Sequence, residues 1–272
     1  MRKIIKNSKY PGFVMQCNEE LVLDSGKTLD KFDIAYQTYG ELNVNKSNAI
    51  FVCHALTGDQ FPAEKNPITK KIGWWDLMIG PGKTIDTSKY FVICSNVLGG
   101  CVGTTGPNEI NPKTNKIYGI EFPTITIQDM VRVQKILVDE LKIDKLLSVI
   151  GGSMGSMQVL QWAATYPESL KSIISIAGAL KHSAQNIAFD EAGRQSIMLD
   201  PNWKKGNYII EDTKPENGLS VARMIAHITY LSDAAFQKKF GRNLQEKQDL
   251  SFGFDIDFQV ESYLRYQGKS FV

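Results

Sequence analysis

Leu146-Leu147-Ser148-Val149-Ile150-Gly151-Gly152-Ser153-Met154-Gly155-Ser156-Met157-Gln158 is the stretch that decides how this chain is read. An apolar run enters Gly-x-Ser-x-Gly and an amphipathic run leaves it. That is the strand, sharp turn and helix setting of a nucleophile elbow. The turn needs backbone angles that only small neighbours tolerate, which Gly151 and Gly155 supply on either side of Ser153. It lifts the serine oxygen off the sheet at a helix N-terminus, where backbone N–H groups can receive developing negative charge. Ser153 is therefore the candidate nucleophile. Without its flanks the same motif reads as a glycine-rich loop.

Working outward, Phe13–Cys17, Leu21–Leu23 and Phe32–Tyr39 read as strands, the last alternating as a half-exposed antiparallel strand does. Ala49–Cys53 and Tyr90–Cys94 are apolar throughout, as strands buried on both faces are. Cys101–Pro123 is rich in Gly, Pro, Asn and Thr, a loop length that points to function or disorder. Thr126, with Asp129 three residues on, reads as an N-cap. The helix it opens is expected to bury Met130, Val133, Ile136, Leu137 and Leu141. The elbow helix is expected to bury Met157, Leu160 and Trp162 or Ala164 and to stop before Pro167. Ser172–Ala177 reads as the next buried strand. Strands alternating with helices imply a mostly parallel, doubly wound sheet. From His182 the pattern turns helical, over Ala184–Leu199, Gly218–Leu231 and Ala234–Phe240. The expected division is an α/β core over residues 1–180 and a helical cap over 181–272.

A length of 272 residues, 43% hydrophobic and 22% charged, suits one α/β domain with an added subdomain. A net charge of +2 points to neither nucleic acid nor an anionic membrane as partner. No apolar run has transmembrane length. The basic N-terminus lacks the apolar region of a signal peptide, so a cytoplasmic location is expected. Cys17, Cys53, Cys94 and Cys101 show no Cys-x-x-Cys pattern and are expected as free thiols. The three histidines pair with no cysteine spacing, so no metal site is expected.

A serine nucleophile needs an oxyanion hole. One donor is the N–H of the following residue, here Met154, and the second comes from the loop after an earlier strand. Cys53-His54-Ala55-Leu56-Thr57-Gly58 is the matching turn, with the Leu56 backbone placed best; the alternative is an ordinary strand-to-loop turn. His182 and His227 follow Ser153, but neither succeeds a late strand with an acid ahead of it, and both read as histidines satisfied by local hydrogen bonds. Arg223 lies on a mostly apolar helix. It reads either as a fork for a substrate carboxylate or as one half of an ion pair.

These residues resemble a known family. Cys53-His54-Ala55-Leu56-Thr57-Gly58-Asp59, Gly73-Trp74-Trp75-Asp76, Ile79-Gly80-Pro81-Gly82-Lys83 and Ser95-Asn96-Val97-Leu98-Gly99-Gly100-Cys101 are similar to segments of homoserine O-acetyltransferase. So are Thr105-Gly106-Pro107, Gly151–Gly155, His182–Gln185, Ala222-Arg223-Met224 and His227–Asp233. The resemblance runs from about Ala35 to the last residue. It implies an acyltransferase of α/β-hydrolase fold with an inserted helical cap. The implied reaction moves an acetyl group from acetyl-CoA to the hydroxyl of L-homoserine by a ping-pong acyl-serine route, with no cofactor. The implied roles are Ser153 as nucleophile, the N–H groups of Leu56 and Met154 as oxyanion donors, and Arg223 as the arginine for the homoserine carboxylate. Tyr230 is a weaker helper. A homodimer through the cap is also implied.

Two departures are visible. The family has a second glycine where this chain has Ser156, a change expected to be tolerated. The family's last strands, with its catalytic aspartate and histidine, correspond to nothing before Val272, so both are expected to lie beyond it. The 272-residue chain alone is accordingly expected to transfer acyl groups orders of magnitude more slowly, because a triad without its base retains only the oxyanion hole and binding. Alternatives are a succinyl-CoA donor, serine as acceptor, a plain esterase, or a remnant that binds without turning over.

Overall fold

The computed structural model describes residues 2–6, 10–251 and 253–272. The chain divides into two compact units, Met1–Leu180 and Lys181–Val272.

In the first unit seven strands form one sheet. They are β1 (Arg2–Lys6), β2 (Phe13–Cys17), β3 (Phe32–Tyr39), β4 (Ala49–Cys53), β5 (Phe91–Ser95), β6 (Ser148–Gly152) and β7 (Ile173–Ile176). Their order across the sheet is β1-β2-β3-β5-β4-β6-β7. The last four are mutually parallel, and the first three add antiparallel pairs at one side. From β4 the chain passes to β5 on one side, and later returns to lay β6 on the other. The carboxyl ends of β4 and β6 therefore flank a point where the strand order reverses, the place where open α/β sheets form a crevice.

Strand periodicity sends alternate residues to opposite faces. Phe51 and Cys53 of β4 and Val149 of β6 face two helices, α1 (Ile127–Glu140) and α2 (Met154–Thr165), whose Val133, Leu137, Val159 and Trp162 complete one core. Ile50, Val52 and Ile150 face the other way and are covered by Ala63, Ile79 and Ile85 of the long loop between β4 and β5. The expected double winding is thus corrected within this unit. Both of its α-helices lie on one face, and loop residues close the other.

α1 begins as the sequence implies. The Thr126 side chain accepts from the Asp129 backbone N–H, and the Asp129 carboxylate accepts from the Thr126 N–H at 3.0 Å. Asp129 is fully buried and also takes the Asp24 N–H and an Arg132 guanidinium N–H. Cap and β-turn are thereby locked together. The expected buried face was only partly right, since Val131, Gln134 and Val138 are buried beside Val133 and Leu137. In α2 the face is rotated, with Ser156, Gln158, Val159 and Trp162 buried and Ala164 exposed. Amphipathic reading assigns polar residues to solvent, and here polar side chains point inward.

One further expectation is corrected. Ser172–Ala177 is not a buried strand; β7 is the edge of the sheet, and Ile174 and Ile176 are 49% and 41% exposed. The stretch Cys101–Pro123 is ordered. Thr104 Oγ1 and Thr105 Oγ1 accept the N–H groups of Ala35 and Asp33, so side chains extend the edge of β3 where β5 ends.

The second unit is helical, with α3 (Ala184–Met198), α4 (Glu216–Thr229), α5 (Asp233–Lys239) and α6 (Gln259–Lys269). α3 and α6 both pack on α4. Gly218 makes the first of these possible, because a Cβ there would meet the Ile197 backbone at 2.6 Å. Among the described residues no helix is long and apolar enough to cross a membrane.

Candidate active site

Ser153 sits at φ 57° and ψ −123°, a region that costs a non-glycine residue roughly 1–3 kcal/mol. The neighbours show what holds it there. A Cβ at Gly155 would overlap the Cys53 carbonyl, and one at Gly151 would come within 2.6 Å of the Gly155 carbonyl. Strand end and helix start thus approach too closely for any side chain. The Ser153 N–H donates to Ile176 O of β7 at 3.1 Å, and its carbonyl accepts from the N–H groups of Ser156 and Met157.

The hydroxyl itself makes no capping bond and the residue is exposed. The N–H groups of Met154 and Gly155 precede the first bonds of α2, so they are among the donors that a helix N-terminus leaves unsatisfied. They carry the positive end of a 12-residue helix dipole beside the serine oxygen. The elbow reading from sequence matches this backbone in every element.

The turn after β4 lies at the same edge of the sheet. Cys53 is registered against Gly151, one strand over and two residues before the serine. His54 is 1% exposed and fastens this turn. Its Nε2 accepts the Val97 N–H at 3.1 Å, which fixes the proton on Nδ1, and Nδ1 donates to Ala55 O at 2.7 Å. Burial depresses the imidazole pKa below its ordinary value. His54 is therefore a neutral brace joining the loops after β4 and β5. Gly58 N–H closes the turn on the same Ala55 carbonyl at 2.9 Å. The Leu56 side chain is 76% exposed, pointing into open space from a fixed backbone.

A buried polar chain lies beneath both segments. Trp162 Nε1 donates to Gln134 Oε1 at 2.7 Å, and Gln134 Nε2 donates to Gln158 Oε1 at 2.6 Å. Gln158 Nε2 then donates to His54 O at 3.1 Å and Met154 O at 3.3 Å. The sequence pattern missed this chain, since Gln134 and Gln158 read as the polar faces of their helices. The one available signal was that each falls within a turn of a buried aromatic or β-branched residue.

Ser156 is completely buried, and its Oγ lies 2.5 Å from Ser175 Oγ of β7. The side chain is thus tied to the edge strand, and Gly178 leaves the room it needs: a Cβ there would strike Ser156. Cys17, Cys53 and Cys94 are buried free thiols, and desolvation pushes Cys17 up to about 12. Cys101 is free and exposed.

In the second unit Arg223 has no carboxylate partner among the described residues, which removes the ion-pair alternative. Its Nε is buried without a partner, one terminal nitrogen lies 3.5 Å from Tyr230 Oη, and the guanidinium sits 5.0 Å above the Phe271 ring. The expected Tyr230 helper is thus beside it. His227, 8% exposed, shares a 2.7 Å hydrogen bond between Nδ1 and Tyr263 Oη, while its Nε2 has no partner. The reading of a fully satisfied histidine is corrected on that nitrogen. His182 pairs with Asp190 at 3.2 Å.

Comparison with known proteins agrees with this fold. The α/beta hydrolase fold family model matches residues 48–270. A homoserine O-acetyltransferase of Rhodospirillum rubrum is 60% identical over 250 residues, 92% of this chain and 64% of that protein. Among solved structures, esterase E22 superposes with a TM-score of 0.82 at 34% identity, covering 99% of this chain and 73% of the other. Homoserine O-acetyltransferase from Bacillus anthracis does so with a TM-score of 0.82 at 29% identity, covering 99% and 70%. The chain spans 64–66% of the length of the first curated relatives it matches. With an elbow serine in strained geometry, a strand-end turn beside it and a family match over most of its length, the chain belongs to the α/β hydrolase fold family.

Proposed function

We propose that this protein is an acyltransferase that acetylates the hydroxyl of L-homoserine through an acyl-serine intermediate on Ser153. The observation that carries the proposal is the strained Ser153 backbone at the start of α2, joined to 60% identity with homoserine O-acetyltransferases. In the first half, Ser153 Oγ attacks the thioester carbonyl of acetyl-CoA. The C–S bond breaks, CoA leaves as the thiol, and the acetyl group remains on the serine. In the second half the homoserine hydroxyl attacks the ester carbonyl, and Ser153 leaves as the free alcohol. Each tetrahedral intermediate carries an oxyanion, for which the Met154 and Leu56 N–H groups are the proposed donors.

His54 is excluded as the base because both of its ring nitrogens are engaged and its fixed proton points at Ala55 O. The proposal assigns the base role to none of the described histidines. Arg223 is the proposed fork for the homoserine carboxylate. Its unpartnered Nε and the absence of an acidic neighbour among the described residues leave the guanidinium able to take an anion, and a bidentate carboxylate is the geometry it suits. No cofactor is invoked. A cytoplasmic homodimer belongs to the same proposal and rests on the family resemblance.

Esterase action is the second reading, favoured by the 34% identity to esterase E22. Acetyl-CoA turnover by the full-length protein, with and without homoserine, separates the two. CoA release that rises with homoserine and yields O-acetylhomoserine supports transfer. Release at the same rate in its absence supports hydrolysis. Ser153→Ala that still forms O-acetylhomoserine would overturn the acyl-serine route.

A further inference from the structure

We infer that Gln158 is a positioning residue that sets the oxyanion hole by clamping the two backbone segments that carry its donors. The inference rests on the acyl-serine reading above. The Nε2 amide of Gln158 reaches the carbonyl of His54 at 3.1 Å, two residues before Leu56, and the carbonyl of Met154 at 3.3 Å. One –NH2 group thus holds both sides of the proposed hole at once, from below the sheet edge.

The direction of this clamp is fixed by chemistry at its far end. An indole N–H can only donate. Trp162 Nε1 therefore forces Gln134 to present its oxygen, at 2.7 Å. Gln134 is left to donate from Nε2 into the Gln158 oxygen at 2.6 Å, and Gln158 must turn its –NH2 towards the two carbonyls. All three side chains are 0–1% exposed, so no water competes for any of these groups. A buried chain with each member satisfied is rigid, and reversing any one amide would place oxygen against oxygen. The neighbouring Ala55 carbonyl is held independently by His54 Nδ1 and Gly58 N–H. Successive carbonyls of the turn, His54 O and Ala55 O, are thus each held by fixed donors, which restrains the Ala55–Leu56 peptide whose N–H is the proposed donor.

A donor displaced by about 1 Å from a developing oxyanion costs on the order of 100-fold in rate. The expectation for Gln158→Leu in the full-length protein is a kcat lower by roughly 10- to 100-fold, with KM for the acyl donor within about twofold. The burst of acetylated Ser153, read as added mass on the elbow peptide, slows in parallel. Trp162→Phe removes the terminal N–H of the chain and keeps an aromatic ring in the core, at the cost of some packing volume. It is expected to lower kcat by several-fold with KM unchanged, and it serves where Gln158→Leu does not fold, as judged by circular dichroism. Ser153→Ala is the companion control. If it abolishes acyl transfer while folded Gln158→Leu or Trp162→Phe turns over like wild type, the clamp is overturned and the acyl-serine reading stands. A loss confined to KM overturns the clamp in the same way. If Ser153→Ala keeps its activity, the acyl-serine reading itself fails.

Discussion

The backbone N–H of Ser153 donates to the carbonyl of Ile176 at 3.1 Å, so the strained residue of the elbow is hydrogen-bonded to the edge strand of the sheet. The next residue pair repeats the tie through side chains, Ser156 Oγ to Ser175 Oγ. The elbow is therefore held on one flank by β7 and on the other by the Cys53 carbonyl that Gly155 approaches.

Strain at φ 57° and ψ −123° is relieved by a residue without Cβ. Ser153→Gly and Ser153→Ala both lack the hydroxyl, and under the proposed function both are expected to lose acyl transfer. The glycine variant is expected to be more stable than the alanine variant by about 1 kcal/mol in urea unfolding, because the native backbone angles cost it little. Equal stability would show that the elbow is not strained.

Gly155→Ala places a methyl against the Cys53 carbonyl. Helix and strand must separate, at a cost of about 1–3 kcal/mol. The same shift moves the Met154 N–H, so serine acylation by an activated acetyl ester is expected to fall together with stability. Calorimetry and elbow-peptide mass measure the two losses.

Burial lowers the His54 pKa below 6.5, and it also lowers that of His227, where Arg223 and Lys239 add to the effect. The unfolded chain therefore binds more protons than the native one as pH falls below about 6.5, and stability declines in that window. Above it the contribution is complete and flat. Each such histidine adds a slope of at most about 1.4 kcal/mol per pH unit. His54→Asn is expected to be less stable at every pH, since Val97 N–H loses its acceptor, yet to show a shallower fall between about pH 5 and 6.5. Urea midpoints across that range give the slopes, and an unchanged slope refutes the assignment.

Arg223→Lys keeps the charge and loses the fork. Under the proposed function, kcat/KM for homoserine is expected to drop roughly 10- to 100-fold, the size of a charge-assisted hydrogen bond. Acetylation of Ser153 in the absence of homoserine is expected to proceed as in wild type. A slowed first half-reaction would remove Arg223 from the acceptor role.

Much of this arrangement was legible in advance. The bounds of β4 and β2, the Thr126 cap and the elbow follow from local rules: apolar runs, a side chain that accepts its own helix N–H, and glycines where backbones nearly touch. What periodicity misjudged was inward polarity. Gln134, Gln158 and Ser156 look like solvent-facing positions because a sequence does not show which polar groups will find partners. α6 was likewise passed over, since its polar residues mask a helix that packs on α4. β7 reads as buried from its isoleucines, although its place at the sheet edge leaves two of them half exposed.

By itself the sequence determined the strand-turn-helix elbow around Ser153 and the turn after β4, because each is encoded within a few neighbouring residues. Only the tertiary structure decided that Gln158 joins that turn to the elbow and that His54 is a neutral brace. It also decided that Arg223 stands without an acidic partner among the described residues. Those facts depend on which buried donor meets which acceptor across residues 24 to 104 positions apart, and a hydrogen bond's direction is fixed only when both of its ends are in place.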